Sequence, residues 1–220
     1  MLPAVLTDFD DTAAEQNVAE MLLQRFGDTT WPDVRAQFRS GALTLKEYQE
    51  ITFRNILADR TAMQDYVKAN ANLRPCFGEV WQHCQDRGLP MVIVSHGLDF
   101  YIHALLEKEG LPQVPVYAVE TSFTDRGIDY KYNFTYPGEP HRGNSKGLVV
   151  SRFRQQGYCV LYVGDGRSDF EAAVEADQVF AHSILAEECQ RQGIPFRPFR
   201  DFGDVLSVLQ EYAEDGRSGA

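Results

Sequence analysis

A doubly wound parallel α/β sheet with a helical cap inserted after its first strand is the architecture this 220-residue chain predicts. Three observations carry it. Apolar runs of strand length alternate with amphipathic stretches of helical period, the pattern of a sheet covered by helices on both faces. That alternation breaks once, over residues 13 to 74, where helical patterns follow one another without a convincing strand. The first apolar run also ends in two carboxylates, Asp8 and Asp10, at the kind of position where such sheets bind ligands, beyond the carboxyl ends of the strands.

The strand-like runs are Val5 to Phe9, Met91 to Val94, Val116 to Val119, Val160 to Val163 and Val179 to Ala181. Two alternating runs within Tyr117 to Tyr132, around Asp125-Arg126-Gly127, read as a β-hairpin. Leu98, Tyr101, Ile102, Leu105 and Leu106 follow the spacing of one helix face and stop at Gly110. A second helix runs from Asn144-Ser145 to Gly157, and Ser168-Asp169-Phe170-Glu171 has the form of a capping box. In the helical stretch, Ala14, Val18, Met21 and Leu22 share a face, while Thr44 to Glu47 and Thr61 to Gln64 are capping-box patterns. The expected division is therefore an α/β core over 1–12 and 75–215, a helical cap over 13–74, and a disordered tail over 216–220.

Composition narrows the function. A formal net charge of −11 argues against a nucleic-acid partner, because phosphate backbones call for clustered Lys and Arg. No apolar run approaches the ~20 residues of a membrane span, and the N-terminus lacks the pattern of a signal peptide. Cys76, Cys84, Cys159 and Cys189 are scattered without a C-x-x-C pair, which reads as reduced thiols filling space in a cytoplasmic protein.

The chemistry concentrates at element ends. Side chains two apart in a strand point the same way, so Asp8 and Asp10 leave the first strand together while Phe9 turns into the core. Two such carboxylates call for a metal, a shared proton or a reaction. Ser95, before His96 and Gly97 at the end of the second strand, pairs a hydroxyl with backbone N–H groups and makes an anion site. Lys146 stands at another helix start. Asp165 and Asp169 follow the strand ending at Gly164, where glycines permit a tight turn. Oxygen ligands of this kind suit Mg²⁺. Taken singly, each residue has a plainer reading: an Asp or Ser as a helix cap or turn former, Lys146 as a solvated surface lysine. The joint order, D-x-D-x-T, V-S-x-G, K, then G-D-x-x-x-D, is what favours chemistry.

In that order the chain resembles the haloacid dehalogenase superfamily, in the phosphoserine phosphatase-like subgroup whose helical cap follows the first motif. Within it, Trp31, Gly41 to Glu47, Arg74 to Phe77 and Ser95 to Phe100 resemble the methionine-salvage phosphatases acting on 2-hydroxy-3-keto-5-methylthiopentenyl-1-phosphate. The resemblance implies a Mg²⁺-dependent phosphatase working through an aspartyl-phosphate on a small phosphorylated metabolite. It implies Asp8 as nucleophile and metal ligand, and Asp10 as acid and base with its backbone carbonyl on the metal. Ser95, His96, Gly97 and Lys146 would hold phosphate, Asp165 would complete the metal site, and Thr12 and Asp169 would support it.

The departures bear on substrate. The subgroup's ammonium-binding Glu is replaced by Asn17, with Glu15 out of register, which counts against phosphoserine. The segment before the lysine, Pro137 to Gly143, lacks the cysteines of the methionine-salvage group. His96 replaces the usual Gly of its motif, and either points into the pocket or contributes only its N–H at a helix start. Trp31, Arg35, Phe38, Arg39 and Arg54 are the cap candidates for specificity. A phosphotransferase or mutase shares the aspartyl-phosphate half-reaction, and a catalytically silent phosphate-binding or signalling protein could use the same fold. Monomer and homodimer are both compatible with the sequence.

Overall fold

Strand β1 (Pro3–Thr7) is buried at every residue, because it has a strand on each side and helices over both faces. The computed structural model describes residues 1–125 and 127–215. Helices α1 (Val18–Phe26), α2 (Trp31–Arg39), α3 (Leu45–Arg54) and α4 (Arg60–Asn70) follow β1 without an intervening strand. Then come α5 (Phe77–Arg87), β2 (Met91–Leu98), α6 (Asp99–Lys108) and the antiparallel pair β3 (Val116–Thr124) and β4 (Gly127–Lys131). The chain closes with α7 (Lys146–Gln155), β5 (Cys159–Gly164), α8 (Phe170–Glu175), β6 (Gln178–Ala181), α9 (Ser183–Gln192), β7 (Arg197–Pro198) and α10 (Phe202–Asp215).

The sheet order is β4-β3-β2-β1-β5-β6-β7, with every pairing parallel except β3 with β4. Alternation along the strands sorts the core into two layers. Val5, Ile93, Leu161 and Val163 pack with α5, α6 and α10, whereas Ala4, Leu6, Val92, Val94, Val160 and Tyr162 pack under α7 and α8. At about 25 cal/mol per Å² of apolar surface removed from water, this two-sided burial is the dominant favourable term for the central strands. Thr7 pairs with both Ile93 and Val163, so the C-terminal ends of β1, β2 and β5 lie side by side.

The structure corrects several sequence readings. The first strand ends at Thr7, because Phe9–Ala13 forms a wide turn closed by the Ala13 N–H on Asp8 O and the Ala14 N–H on Phe9 O. Strand β2 runs on through Ser95 to Leu98, with its register to β3 shifting after Val94. The Thr44 capping box forms as read, but Asp59 and not Thr61 caps α4, leaving Gln64 to donate to the Phe100 carbonyl of α6. The Ser168 box does not form. Asp169 instead turns its carboxylate back onto the N–H groups of Asp165 and Gly166. The two-residue β7 had no apolar run to announce it. Residues 216–220, read as a tail, lie outside the described residues, as does Arg126 of the hairpin turn. All four cysteines are free thiols, with Cys84 and Cys189 buried. Among the described residues no helix is long and apolar enough to cross a membrane.

Candidate active site

Three strand ends and one helix start meet at a single cavity of about 830 Å³. Its floor is Asp8 after β1, Ser95, His96 and Gly97 of β2, Lys146 at the start of α7, and Asp165 after β5. Its roof comes from α1, α2 and α3, through residues including Glu20, Leu23, Arg35, Phe38, Tyr48 and Phe53.

The buried charges are mutually held. Lys146 Nζ lies 2.7 Å from Asp8 Oδ1 and 2.6 Å from Asp169 Oδ1. Tyr162 donates to that same Asp169 oxygen at 2.6 Å, and the Asp165 and Gly166 amides donate to the other. Gly164 makes this fold-back possible, since a Cβ there would sit 2.7 Å from Asp169 Cγ. With each oxygen accepting two hydrogen bonds, Asp169 is a fixed anion that orients Lys146 and the Asp165 turn. Although burial opposes it, the Lys146 charge and these donors hold Asp169 below its ordinary pKa. The two carboxylates in turn hold Lys146 well above its ordinary value against the same burial penalty.

Asp8 and Asp165 are less compensated. Burial, then the Asp169 charge, pushes the Asp8 carboxyl well above the usual carboxylate range in spite of Lys146. Burial and the charges of Asp169 and Asp11 push Asp165 up to about 7, while Thr12 donates to its Oδ1 at 3.1 Å. Oxygens of Asp8, Asp165 and Asp169 lie within 4.8 Å of one another. The site therefore has an excess of buried negative charge over its one lysine, in hard oxygen donors. That donor set fits a small divalent cation.

Asp10 has a different setting from Asp8, although both line the cavity. Its Oδ1 accepts the N–H groups of Val18 and Ala19 at the start of α1, at 2.7 and 3.1 Å. Its Oδ2 accepts the Tyr101 hydroxyl at 2.9 Å. Burial pushes its carboxyl up to about 6 against these donors. Asp11, at φ +60°, accepts from Asn17, whose own side chain caps α1.

Ser95 is buried and its Oγ accepts the Gly97 N–H at 2.9 Å. The His96 carbonyl accepts from Gln49 of α3, tying the helical insert to this end of β2. Burial, then the Lys146 charge, lowers the His96 imidazole to about 3, so it is neutral. Lys146, Gly147 and Ser145 are fixed by a cap in which Ser145 accepts from the Leu148 N–H and donates to Glu171.

The expected residues are thus largely brought together: Asp8, Asp10, Ser95, His96, Gly97, Lys146 and Asp165 line one cavity, with Thr12 and Asp169 directly behind it. The specificity residues divide. Asn17 and Arg35 line the cavity; Glu15 is exposed outside it, and Trp31 packs beside Gly27, under the Arg35 guanidinium. Glu15 follows the wide turn rather than entering α1, which carries its side chain away. Sequence reading passed over Glu20, paired with Arg35, and Gln49, Tyr48, Phe53 and Tyr101. Of these only Tyr101 enters the sequence reading at all, as an apolar position on a helix face, and only tertiary contact reveals the cavity they line.

A mostly parallel sheet with an aspartate at the end of its central strand, a lysine and second carboxylate on neighbouring ends, and a helical roof defines a class of α/β hydrolases. The haloacid dehalogenase-like hydrolase family profile matches residues 5–173, and the chain belongs to that family. It is 29% identical over 219 residues to the 2-hydroxy-3-keto-5-methylthiopentenyl-1-phosphate phosphatase of Bacillus cytotoxicus, covering 96% of this chain and 97% of the relative. The enzyme of the same description from Brevibacillus brevis is 26% identical, with 94% and 95% covered. Among solved structures, a phospho-aspartyl intermediate analogue of phosphoserine phosphatase superposes with a TM-score of 0.68 at 19% identity, covering 94% of this chain and 98% of that one. A probable phosphoserine phosphatase from Vibrio cholerae gives 0.72 at 16% identity, covering 100% and 68%.

Proposed function

We propose that this protein is a Mg²⁺-dependent phosphatase that hydrolyses a small phosphomonoester through a phosphorylated Asp8. The observation that carries the reading is the buried Lys146–Asp8 contact at the C-terminal end of β1, beside Asp165 and under the α1–α3 roof. Asp8 would attack phosphorus in line, forming its own P–O bond as the bond to the leaving oxygen breaks. Asp10, its proton favoured by burial, would give that proton to the leaving oxygen. Water would then attack the acyl phosphate, Asp10 taking a proton from it, and inorganic phosphate would leave with Asp8 restored.

Lys146 offsets the charge that gathers on Asp8 and the phosphoryl oxygens. Ser95, with its Oγ accepting from Gly97, keeps a hydroxyl hydrogen to donate to a phosphoryl oxygen, and the neutral His96 and the Gly97 amide stand beside it. Asp8, Asp165 and the Asp10 carbonyl would hold Mg²⁺, which when bound neutralises part of the charge on the transferring group. Residues 13–74 act as a cap that shuts bulk water from this chemistry. The working location is the cytoplasm, in keeping with the four free thiols.

The first candidate substrate is 2-hydroxy-3-keto-5-methylthiopentenyl-1-phosphate, the compound for which the relatives are named. The roof suits a short, partly apolar chain. Leu23, Phe38, Tyr48 and Phe53 supply apolar surface, while Glu20 and Arg35 neutralise one another. Phosphoserine would demand an unpaired anion for its ammonium, and Asn17 stands where the subgroup's Glu would be.

Phosphate release from this compound and from a panel of small phosphomonoesters, in Mg²⁺ and in EDTA, tests the reading. Turnover that needs Mg²⁺ and vanishes in Asp8→Asn is expected. Metal-independent turnover, an active Asp8→Asn, or a phosphorylated acceptor in place of free phosphate would overturn it.

A further inference from the structure

Tyr101 begins as an apolar position on α6 and ends with its hydroxyl in the reaction cavity. The ring is fully buried between Phe9 and Phe100, with centroids at 6.0 and 5.4 Å. The hydroxyl emerges beside Gly97 and donates to Asp10 Oδ2 at 2.9 Å. The approach depends on the missing side chain at 97: a Cβ there would stand 2.0 Å from the Tyr101 oxygen and 3.0 Å from Asp10 Oδ2. A β-carbon would therefore displace the phenol from the carboxylate.

These contacts assign different work to the two oxygens of Asp10. Oδ1 receives two backbone N–H groups, so a proton on it would meet donors head on. A proton carried by Asp10 must sit on Oδ2. That oxygen has two lone-pair directions, and the Tyr101 hydroxyl occupies one. The other direction remains for the transferable proton, on a carboxylate that lines the cavity. Resting on the phosphatase reading above, we propose that Tyr101 is a positioning residue that aims the proton of Asp10 at the leaving oxygen of the substrate. Tyr101 neither gains nor loses a proton over the cycle. The proton passes from Asp10 Oδ2 to the leaving oxygen, and one from water replaces it.

The test exploits how much each leaving group needs that proton. An alkoxide is a poor leaving group without an acid, whereas p-nitrophenolate departs without one. The value of kcat/KM, which covers only the steps through phosphorylation of Asp8, is to be measured for a simple alkyl phosphomonoester and for p-nitrophenyl phosphate. Wild type, Tyr101→Phe and Asp10→Asn are compared. In Tyr101→Phe the alkyl ester should lose at least tenfold more than the aryl ester, and Asp10→Asn should lose more again in the same direction. A role confined to packing would lower both substrates by one factor.

Equal losses, or no loss, in a folded Tyr101→Phe would overturn the assignment while leaving the phosphatase reading intact. A wild type that turns over neither ester, or an Asp8→Asn that turns over both, would overturn the phosphatase reading itself. Should Tyr101→Phe fail to fold, Gly97→Ala displaces the same hydroxyl and is read by the same alkyl-to-aryl ratio. An unchanged ratio there would also overturn the assignment.

Discussion

Lys146 and Asp8 meet at 2.7 Å with both side chains buried, and the same ammonium holds Asp169 at 2.6 Å, so one cation serves two anions. Such an arrangement is fragile to the loss of its middle member. Lys146→Met would leave two carboxylates buried without their counter-charge, a change that typically costs about 3–5 kcal/mol. Urea unfolding should show that loss, together with phosphate release reduced to background. Lys146→Arg should also be nearly inactive, because a planar fork cannot replace a compact ammonium between two carboxylates this close. Full activity in either variant would remove Lys146 from the proposed mechanism.

Asp165 yields a pH signature of the metal-free protein. Its carboxyl is pushed from an ordinary value of 3.8 to about 7, so the folded state binds the proton more tightly than the unfolded chain. The unfolded state then holds fewer protons between those values, and stability falls as pH rises through that window. In EDTA, wild type should lose about 2 kcal/mol more than Asp165→Asn between pH 5 and pH 8, at 1.36 kcal/mol per decade of affinity. Mg²⁺ at pH 8 should restore wild type and leave Asp165→Asn unmoved. Parallel pH profiles for the two proteins in EDTA would contradict the assignment of the excess charge to Asp165.

Sequence patterns revealed more of the floor of this site than of its roof, and the reason is physical. Asp8, Ser95 and Asp165 sit where apolar strands end, and a strand end is visible in one dimension as a change from buried to polar residues. The roof is made of amphipathic helices, in which a residue facing a cavity has the same period as one facing a core. Tyr48, Phe53 and Tyr101 were therefore indistinguishable from packing residues. Caps show the same divide. Thr44 and Glu47 satisfy each other within four residues, so their box is legible. Glu171, the second member of the Ser168 box, instead accepts the Ser145 hydroxyl, which arrives from another part of the chain. Asp10 was read as leaving a strand beside Asp8, yet the turn at Phe9–Ala13 carries it to the start of α1, a placement set by the unpaired amides of a helix not visible as such in the pair itself.

Gln49 connects the roof to the Ser95–Gly97 end of β2. It is buried, and its amide donates to the His96 carbonyl at 2.9 Å. Gln49→Leu keeps the volume but leaves that carbonyl without its donor, at a typical cost of about 1–3 kcal/mol. If the bond sets the height of the roof over that strand end, KM should rise for every phosphomonoester tested, with kcat changed less. A stability loss with unaltered KM would show that the contact only packs α3 against the core.

Phe38 and Tyr48 form the part of the roof best placed to read the substrate's carbon chain. Their rings stack at 5.1 Å with 13° between planes, and both line the cavity. Neither belongs to the charged floor, so truncating one should separate tail recognition from phosphoryl transfer. Phe38→Ala removes one aromatic face and loosens the other, a loss of about 1–2 kcal/mol where an apolar tail rests on it. For a substrate with a methylthio-alkyl tail, kcat/KM should fall about tenfold, at 1.4 kcal/mol per decade. For glycerol phosphate, which has no such tail, it should change by less than about twofold. The contrast is what matters, because a general collapse of the cap would lower both. Should the two substrates respond alike, specificity would have to be sought in the paired Glu20 and Arg35, whose charges would then become available to a polar substrate instead of cancelling.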